Sequence, residues 1–278
     1  MAGINGGASS SPRGVLFDVD GTLVLGDRDS NGYNLLPGAG RVIAELRRRK
    51  VPFACLTNGS GDTPQEYVEK LRAAGLDIAL EEMWTPAVVA AWHLVSRGVK
   101  SALVLGMPGV WKPLQEAGIA VHLPDDAPAA VDAVLVGWHP DVLFPHLIRA
   151  CDAVDHGAQL YVTSAAIRFA THRGPAIGVS GALITMITKV TGRRATVVGK
   201  PERMAMRAVA ARMGVAPRDM IVVGDDPSLE IAMARAAGAQ AVAVLTGLAD
   251  RAGLDALPES RRPHHVFSDV GGLLGTVL

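Results

Sequence analysis

The sequence predicts an α/β protein with a largely parallel sheet and a second α/β unit inserted into it. Short apolar segments alternate with amphipathic ones along almost the whole chain, which is typical of strand–helix units. The 278 residues are enough for one large domain or two modest ones. Polar motifs that we expect to form one site, described below, lie near both chain ends. We therefore expect a disordered leader over 1–12, a core formed by 13–85 and 193–278, and an inserted α/β cap domain over 86–192.

The first part of the core is predicted from apolar segments that end at turn signals. Its expected elements are a strand over 14–17, a loop over 26–34, a helix over 37–50, a strand over 51–56 and a helix over 64–74. Pro37 opens the first helix, whose apolar residues recur at the spacing of one buried face. Asp62 or Thr63 is expected to cap the second helix.

The middle and last blocks repeat this alternation. In the middle block we expect strands over 102–105, 131–136 and 160–163 and helices over 87–97, 142–155 and 181–191. In the last block we expect strands over 196–198, 220–223 and 241–245 and helices over 204–213 and 229–237. The middle block is close to the ~100 residues of an ordinary domain, which is why we expect it to form a unit of its own.

The charge and cysteine content exclude several classes of partner. Lys plus Arg and Asp plus Glu total 27 each, so neither nucleic acid nor a basic partner is indicated. No apolar run is long enough to cross a bilayer, and the Gly- and Ser-rich start lacks the charged region of a signal peptide. Cys55 and Cys151 match no metal spacing, and we expect a reduced, cytoplasmic setting.

Two carboxylates follow the first predicted strand. Asp18 ends an apolar run, Asp20 comes two places later, and Gly21-Thr22 completes the turn. Alternate residues of an extended segment share one face, so both side chains can enter one pocket. A carboxylate can act as a nucleophile toward phosphorus, and a second one can serve as general acid and base. The pair therefore predicts covalent group transfer, although an acidic turn after a strand would explain a bare pair.

Further polar residues follow other predicted strands. Thr57, Asn58 and Gly59 can hold phosphate oxygens through a hydroxyl and backbone N–H groups. Lys200, between Gly199 and Pro201, can neutralise an attacking carboxylate and a phosphoryl group. Each motif alone has a plainer explanation, an ordinary turn for the first and a solvated surface lysine for the second.

A magnesium site is predicted from carboxylates at two strand ends. Asp225 follows the strand over 220–223, and Mg²⁺ prefers oxygen ligands with only one or two carboxylates. Asp18, the backbone carbonyl of Asp20 and Asp225 would suit that ion, while Glu230 could anchor a metal-bound water. Asp225 alone could instead cap a helix. Because ligands bind beyond the carboxyl ends of parallel strands, one sheet can gather all these groups into one pocket.

Together these motifs resemble the haloacid dehalogenase superfamily, and its NagD-like phosphatase subclass in particular. The resemblance rests on 18–22 (DVDGT), 56–59 (LTNG), 181–183 (GAL), 199–201 (GKP) and 223–225 (VGD). It implies a Rossmann-like core with an inserted cap, a nucleophile at Asp18 and an acid/base at Asp20. It also implies phosphate binding by Thr57 and Lys200 and a Mg²⁺ site completed by Asp225.

The chain departs from the subclass at two places. Its fourth motif has Asp226 where an Arg is usual and Glu230 where a final Asp is usual. The cap segment that is commonly TNPD is here 163–166 (TSAA), so the specificity of relatives does not transfer. On the cap, Arg168, His172 and Arg173 could bind the leaving group, because Arg suits a carboxylate or a second phosphate. A solvated basic loop would equally explain them.

The resulting prediction is a Mg²⁺-dependent phosphatase that hydrolyses a small phosphorylated metabolite through an aspartyl-phosphate. A phosphotransferase of the same superfamily, or a binding or regulatory protein that has lost turnover, are the alternatives. The expected setting is cytoplasmic, with no nucleic acid or membrane partner and a possible homodimer through the cap, since cap-to-cap dimers occur among relatives.

Overall fold

A computed structural model of the chain describes residues 14–26, 32–126, 130–171 and 174–278. The predicted leader and most of the predicted loop over 26–34 lie outside these ranges. His172 and Arg173, two of the residues predicted to bind the leaving group, also lie outside them.

The described segments alternate between strands and helices, as predicted. The strands are β1 (Gly14–Phe17), β2 (Val24–Gly26), β3 (Tyr33–Leu35), β4 (Phe53–Leu56), β5 (Met83–Trp84), β6 (Ser101–Leu105), β7 (Ala120–His122), β8 (Ala133–Val136), β9 (Gln159–Val162), β10 (Arg168–Thr171), β11 (Gly174–Ile177), β12 (Thr196–Val197), β13 (Met220–Gly224), β14 (Gln240–Val244) and β15 (His265–Phe267). The α-helices are α1 (Ala39–Arg49), α2 (Pro64–Ala73), α3 (Pro86–Ser96), α4 (Pro108–Glu116), α5 (Phe144–Asp155), α6 (Val179–Thr191), α7 (Arg203–Met213), α8 (Ala232–Ala237) and α9 (Arg251–Asp255). A π-helical turn over Pro227–Ile231 precedes α8.

Two parallel sheets organise these elements, which confirms the predicted fold class. The first has six strands in the order β15-β14-β13-β1-β4-β5, so both ends of the chain contribute to it. The second has five strands in the order β12-β9-β8-β6-β7 and is built from the middle of the chain. Two antiparallel pairs, β2-β3 and β10-β11, stand apart from both sheets.

One strand lies in a different sheet from the one we expected. The strand over 196–198 was predicted to belong to the core, but β12 pairs with β9, with Val197 opposite Val162. The five-stranded sheet therefore extends past residue 192, the predicted end of the cap. Two paired residues carry no periodicity that could assign them to one sheet rather than another. Val198, directly after β12, is buried in a cluster with Leu16 and Leu56 of the six-stranded sheet.

Local signals explain where the first helices form. In α1, buried Ala39, Val42, Ile43 and Leu46 follow the spacing of one helix face. Helix α2 begins at a capping box, in which the Thr63 hydroxyl accepts from the Glu66 N–H and the Glu66 carboxylate accepts from the Thr63 N–H. Of the two caps proposed from the sequence, the structure uses Thr63.

The buried apolar side chains join the two sheets. The central cluster contains Leu16 and Leu56 from the six-stranded sheet and Val104 and Leu135 from the five-stranded sheet. Two further clusters use the alternate residues of the same strands, as expected for parallel sheets that are covered on both faces. In the part of the chain that the structure describes, no helix is long and apolar enough to span a membrane.

Candidate active site

The predicted site residues converge on one cavity beyond the carboxyl ends of β1, β4 and β13. Its volume is about 600 Å³. From the six-stranded side it is lined by Asp18, Asp20, Thr57, Asn58, Gly59, Asp225 and Glu230, and Lys200 and Arg168 also line it. The structure thus brings together all the site residues proposed from the sequence that lie within the described ranges.

A buried cation between two carboxylates forms the floor of the cavity. The Lys200 ammonium donates to Asp18 Oδ1, and its Nζ lies 2.6 Å from Glu230 Oε1. Asp18, Lys200 and Glu230 are 7%, 4% and 1% exposed, so the three charges are almost withdrawn from solvent. The Thr22 hydroxyl donates to the other Asp18 oxygen at 3.2 Å. Both oxygens of Asp18 are therefore held in place by protein groups.

The pKa values of Lys200 and Glu230 follow from their burial and from the charges next to them. Burial lowers the pKa of Lys200, but the carboxylates of Asp18 and Glu230 outweigh it and raise the pKa above its usual value. Lys200 therefore stays protonated. For Glu230, burial is the largest influence and raises the pKa, while the Lys200 charge opposes that shift.

Glu230 pairs with Lys200, a partner that we did not predict from the sequence. Its Oε1 lies against the Lys200 ammonium and its Oε2 accepts from the Asp226 N–H at 3.2 Å, while its contact with a metal-bound water stays a prediction. Glu230 lies in the π-helical turn, and its side chain, one methylene longer than that of Asp, reaches the Lys200 ammonium. Gly224 makes room for it, since a Cβ at that position would overlap the Glu230 side chain.

The Asn58 side chain holds the backbone of Lys200. Its Oδ1 accepts from the Lys200 N–H at 2.8 Å, and its Nδ2 donates to the Lys200 carbonyl at 3.0 Å. Thr57 Oγ1 accepts from the Gly59 N–H at 2.9 Å, which closes the turn after β4. The Asn58 side chain therefore positions Lys200, and its predicted contact with phosphate stays a prediction.

Asp225 is fixed by a loop that sequence analysis did not identify as functional. The Leu248 N–H donates to Asp225 Oδ2 at 2.8 Å, and the Ala249 N–H donates to the Asp225 carbonyl at 2.8 Å. Burial and the negative charge of Asp18 raise the pKa of Asp225 to about 6. The only signal for this loop was its place after the predicted strand over 241–245, which indicated no chemistry.

Asp20 lies at the mouth of the cavity, with its side chain exposed. The surrounding walls still withdraw it in part from bulk water. This partial burial and the charge of Asp18 raise the pKa of Asp20 to about 6, although Lys200 opposes them. Thr246 supports the same turn from below, because its hydroxyl donates to the Gly21 carbonyl at 2.5 Å.

The carboxylates facing the cavity fit a hard cation by their chemistry. Burial and the negative charge of Asp18 raise the pKa of Asp20 and of Asp225, and Lys200 supplies the one buried positive charge among the described lining residues. Within the described ranges no group of three or more His, Cys, Asp or Glu side chains forms a metal-binding cluster. Two carboxylates and a backbone carbonyl are a smaller donor set of the kind that Mg²⁺ accepts together with water.

Replacing Gly21 with alanine is expected to damage the site more than the fold. Gly21 has a φ of 83°, and a Cβ there would overlap the Asp225 carboxylate. We expect Gly21→Ala to cost about 1–3 kcal/mol of stability from backbone strain and to lower kcat/KM by about tenfold or more. Urea unfolding and a phosphatase assay measure the two effects.

Gly75→Ala is the matched control for this substitution. Gly75 has a φ of 92°, but a Cβ there would meet only open space. It should reproduce the backbone strain and leave activity unchanged. Full activity in Gly21→Ala would show that the position of Asp225 is unimportant.

Comparison with known proteins finds relatives along nearly the whole chain. A family model described as haloacid dehalogenase-like hydrolase matches residues 15–120, and one described as HAD-hydrolase-like matches residues 197–273. The two matched segments include Asp18, Thr57, Lys200, Asp225 and Glu230.

Curated relatives and solved structures cover most of both chains. The dihydroxyacetone phosphatase of Corynebacterium glutamicum is 29% identical over 260 residues, which are 93% of this chain and 89% of that protein. The ribonucleotide monophosphatase NagD of Escherichia coli is 27% identical over 258 residues, 93% of this chain and 96% of that protein. The crystal structure of a 4-nitrophenylphosphatase from Thermotoga maritima is similar with a TM-score of 0.83 and 26% identity, over 96% of this chain and 98% of that one.

Proposed function

This chain belongs to the haloacid dehalogenase superfamily as a NagD-like phosphoric monoester hydrolase, and we propose that it cleaves a small phosphorylated metabolite through an aspartyl-phosphate on Asp18. The observation that carries the proposal is the joint placement of Asp18, Lys200 and Asp225 around one cavity. A nucleophile, a buried cation and a second carboxylate are what in-line phosphoryl transfer to a carboxylate requires.

In the proposed reaction Asp18 is the attacking group. Thr22 and Lys200 hold its two oxygens, so the carboxylate meets the phosphorus in one orientation. A bond forms between an Asp18 oxygen and phosphorus while the bond from phosphorus to the ester oxygen breaks. Lys200 offsets the charge on the reacting oxygens.

Asp20 moves the protons in both halves of the reaction. It gives its proton to the departing ester oxygen in the first half. In the second half it takes a proton from a water that attacks the phosphorus and releases Asp18. Its place at the cavity mouth, two residues after the nucleophile, suits contact with both the leaving group and incoming water.

Mg²⁺ is the cofactor that the lining residues favour. Asp18, Asp225 and the backbone carbonyl of Asp20 would hold it. When bound, the ion supplies positive charge that offsets repulsion between the carboxylates and an anionic substrate.

The cavity lining also has a cationic and apolar part, which bears on the leaving group. Arg168, at the start of β10, lines it together with apolar Leu25, Ala166 and Leu248. We propose that the alcohol part of the substrate is small and carries a carboxylate or a second phosphate near Arg168. A panel of glycolate, glycerol, sugar, nucleotide and pyridoxal phosphate esters would identify the preferred class.

Removal of divalent metal is expected to abolish turnover. EDTA should lower hydrolysis of p-nitrophenyl phosphate by about 100-fold or more, since a bound metal is worth several kcal/mol to the transition state. Added Mg²⁺ should restore the rate, and Asp225→Asn should require about tenfold more Mg²⁺ for half-maximal activity.

The same assay separates the proposal from its alternatives. No Mg²⁺-dependent release of phosphate from any ester would favour a binding or regulatory protein. Faster transfer to an added alcohol than to water would favour a phosphotransferase.

A further inference from the structure

A second cavity, of about 640 Å³, lies where the chain passes between the two sheets. It is lined by α3, by β12 and the residues after it, and by the first turns of α7. Helix α3 connects β5 of the six-stranded sheet to β6 of the five-stranded sheet, and residues 198–202 return in the other direction. We call this cavity the crossover groove. Its volume lies within the ~300–1,000 Å³ typical of small-molecule sites.

The charge of the crossover groove is positive, in a protein whose formal net charge is zero. Arg203 and Arg207 line it, four residues apart on one face of α7. In the described part of the chain neither guanidinium group has an ion-pair or hydrogen-bond partner. On α1, by contrast, Arg47, Arg48 and Arg49 are all paired with carboxylates. Two unpaired guanidinium groups one helical turn apart suit two successive phosphate groups.

The groove also has aromatic and apolar lining residues. Trp92 of α3 is 37% exposed and lines the cavity together with His93 and Met204. A partly exposed indole in a cavity offers a flat surface on which a planar ring can stack. Glu202 is the single carboxylate among the lining residues, so the cations outnumber it.

We infer that the crossover groove binds a nucleoside diphosphate, with its base on Trp92 and its phosphates on Arg203 and Arg207. This site is separate from the catalytic cavity, because the two cavities share no lining residue among the described residues. The inference therefore does not depend on the proposed reaction.

The test uses adenosine diphosphate as the probe, with the full chain and EDTA present so that no turnover occurs. We expect a saturable change in tryptophan fluorescence and a one-to-one stoichiometry by calorimetry. Trp92→Phe should remove the optical signal. Arg203→Gln/Arg207→Gln should weaken binding by tenfold or more, without changing the thermal unfolding midpoint by more than a few degrees. The matched control, Arg251→Gln/Arg261→Gln, changes two exposed arginines outside the groove and should bind as the wild type does.

Four results would overturn the inference. The first is the absence of saturable binding, and the second is unchanged affinity in Arg203→Gln/Arg207→Gln. The third is displacement of the bound probe by excess p-nitrophenyl phosphate, which would place the nucleotide in the catalytic cavity. Pyrophosphate should bind at least tenfold more weakly than adenosine diphosphate, and equal affinity would contradict the role given to Trp92.

Discussion

Asp18→Asn is expected to lower kcat for p-nitrophenyl phosphate by about 10⁴-fold or more, because an amide cannot form the covalent phosphoryl intermediate. The substitution keeps the shape of the side chain and removes one charge. Lys200 still pairs with Glu230 in this variant, so the buried cation keeps a partner and the protein should fold. Steady-state kinetics with Mg²⁺ present measure the effect.

Asp152→Asn is the control for this experiment, since Asp152 is exposed on α5 and lies outside the catalytic cavity. It should leave kcat and KM unchanged. A rate within tenfold of the wild type in Asp18→Asn would rule out Asp18 as the nucleophile.

Lys200→Met is expected to destabilise the protein as well as to inactivate it. Methionine has a similar length but leaves Asp18 and Glu230 buried without their shared cation. Removing one partner from a buried ion pair costs about 3–5 kcal/mol. We expect a loss of that size in urea unfolding, together with loss of phosphatase activity.

A second substitution separates the two effects of losing this lysine. In Lys200→Met/Glu230→Gln one uncompensated carboxylate is neutralised, so about 1–3 kcal/mol of the lost stability should return. Activity should not return, because the cation that offsets the charge on the phosphoryl group is still missing. Strictly additive stability losses in the double variant would show that Lys200 and Glu230 are not energetically coupled.

Much of this site could be predicted because its residues stand at the ends of recognisable strands. Asp18, Thr57 and Asp225 each follow a run of apolar residues, and the ends of parallel strands lie together at one edge of a sheet. The order of the motifs also indicated that both chain ends form one core, and the six-stranded sheet is built in that way.

The remaining contacts depend on tertiary packing that no local pattern encodes. Lys200 was expected from a strand of the core, but the strand before it belongs to the other sheet. The Asn58 side chain contacts a residue 142 positions away, and Glu230 pairs with a cation that only the folded chain brings near it. Helix α4 was missed because Pro113 lies inside it. The pairs β2-β3 and β10-β11 were also not predicted, because each of their strands has only three or four residues.

The pairing of β12 with β9 determines where a chimera of this protein could be joined. A transplant that ended at residue 192 would leave β12 behind and remove one of the two neighbours of β9. The unpaired backbone N–H and C=O groups of β9 could then form hydrogen bonds with a strand of another molecule. A junction placed after Val197 keeps the sheet whole, but it puts the donor's last residue within three positions of the recipient's Lys200. Exchange of the inserted unit therefore also requires the graft to deliver that lysine at the angle that Asn58 accepts.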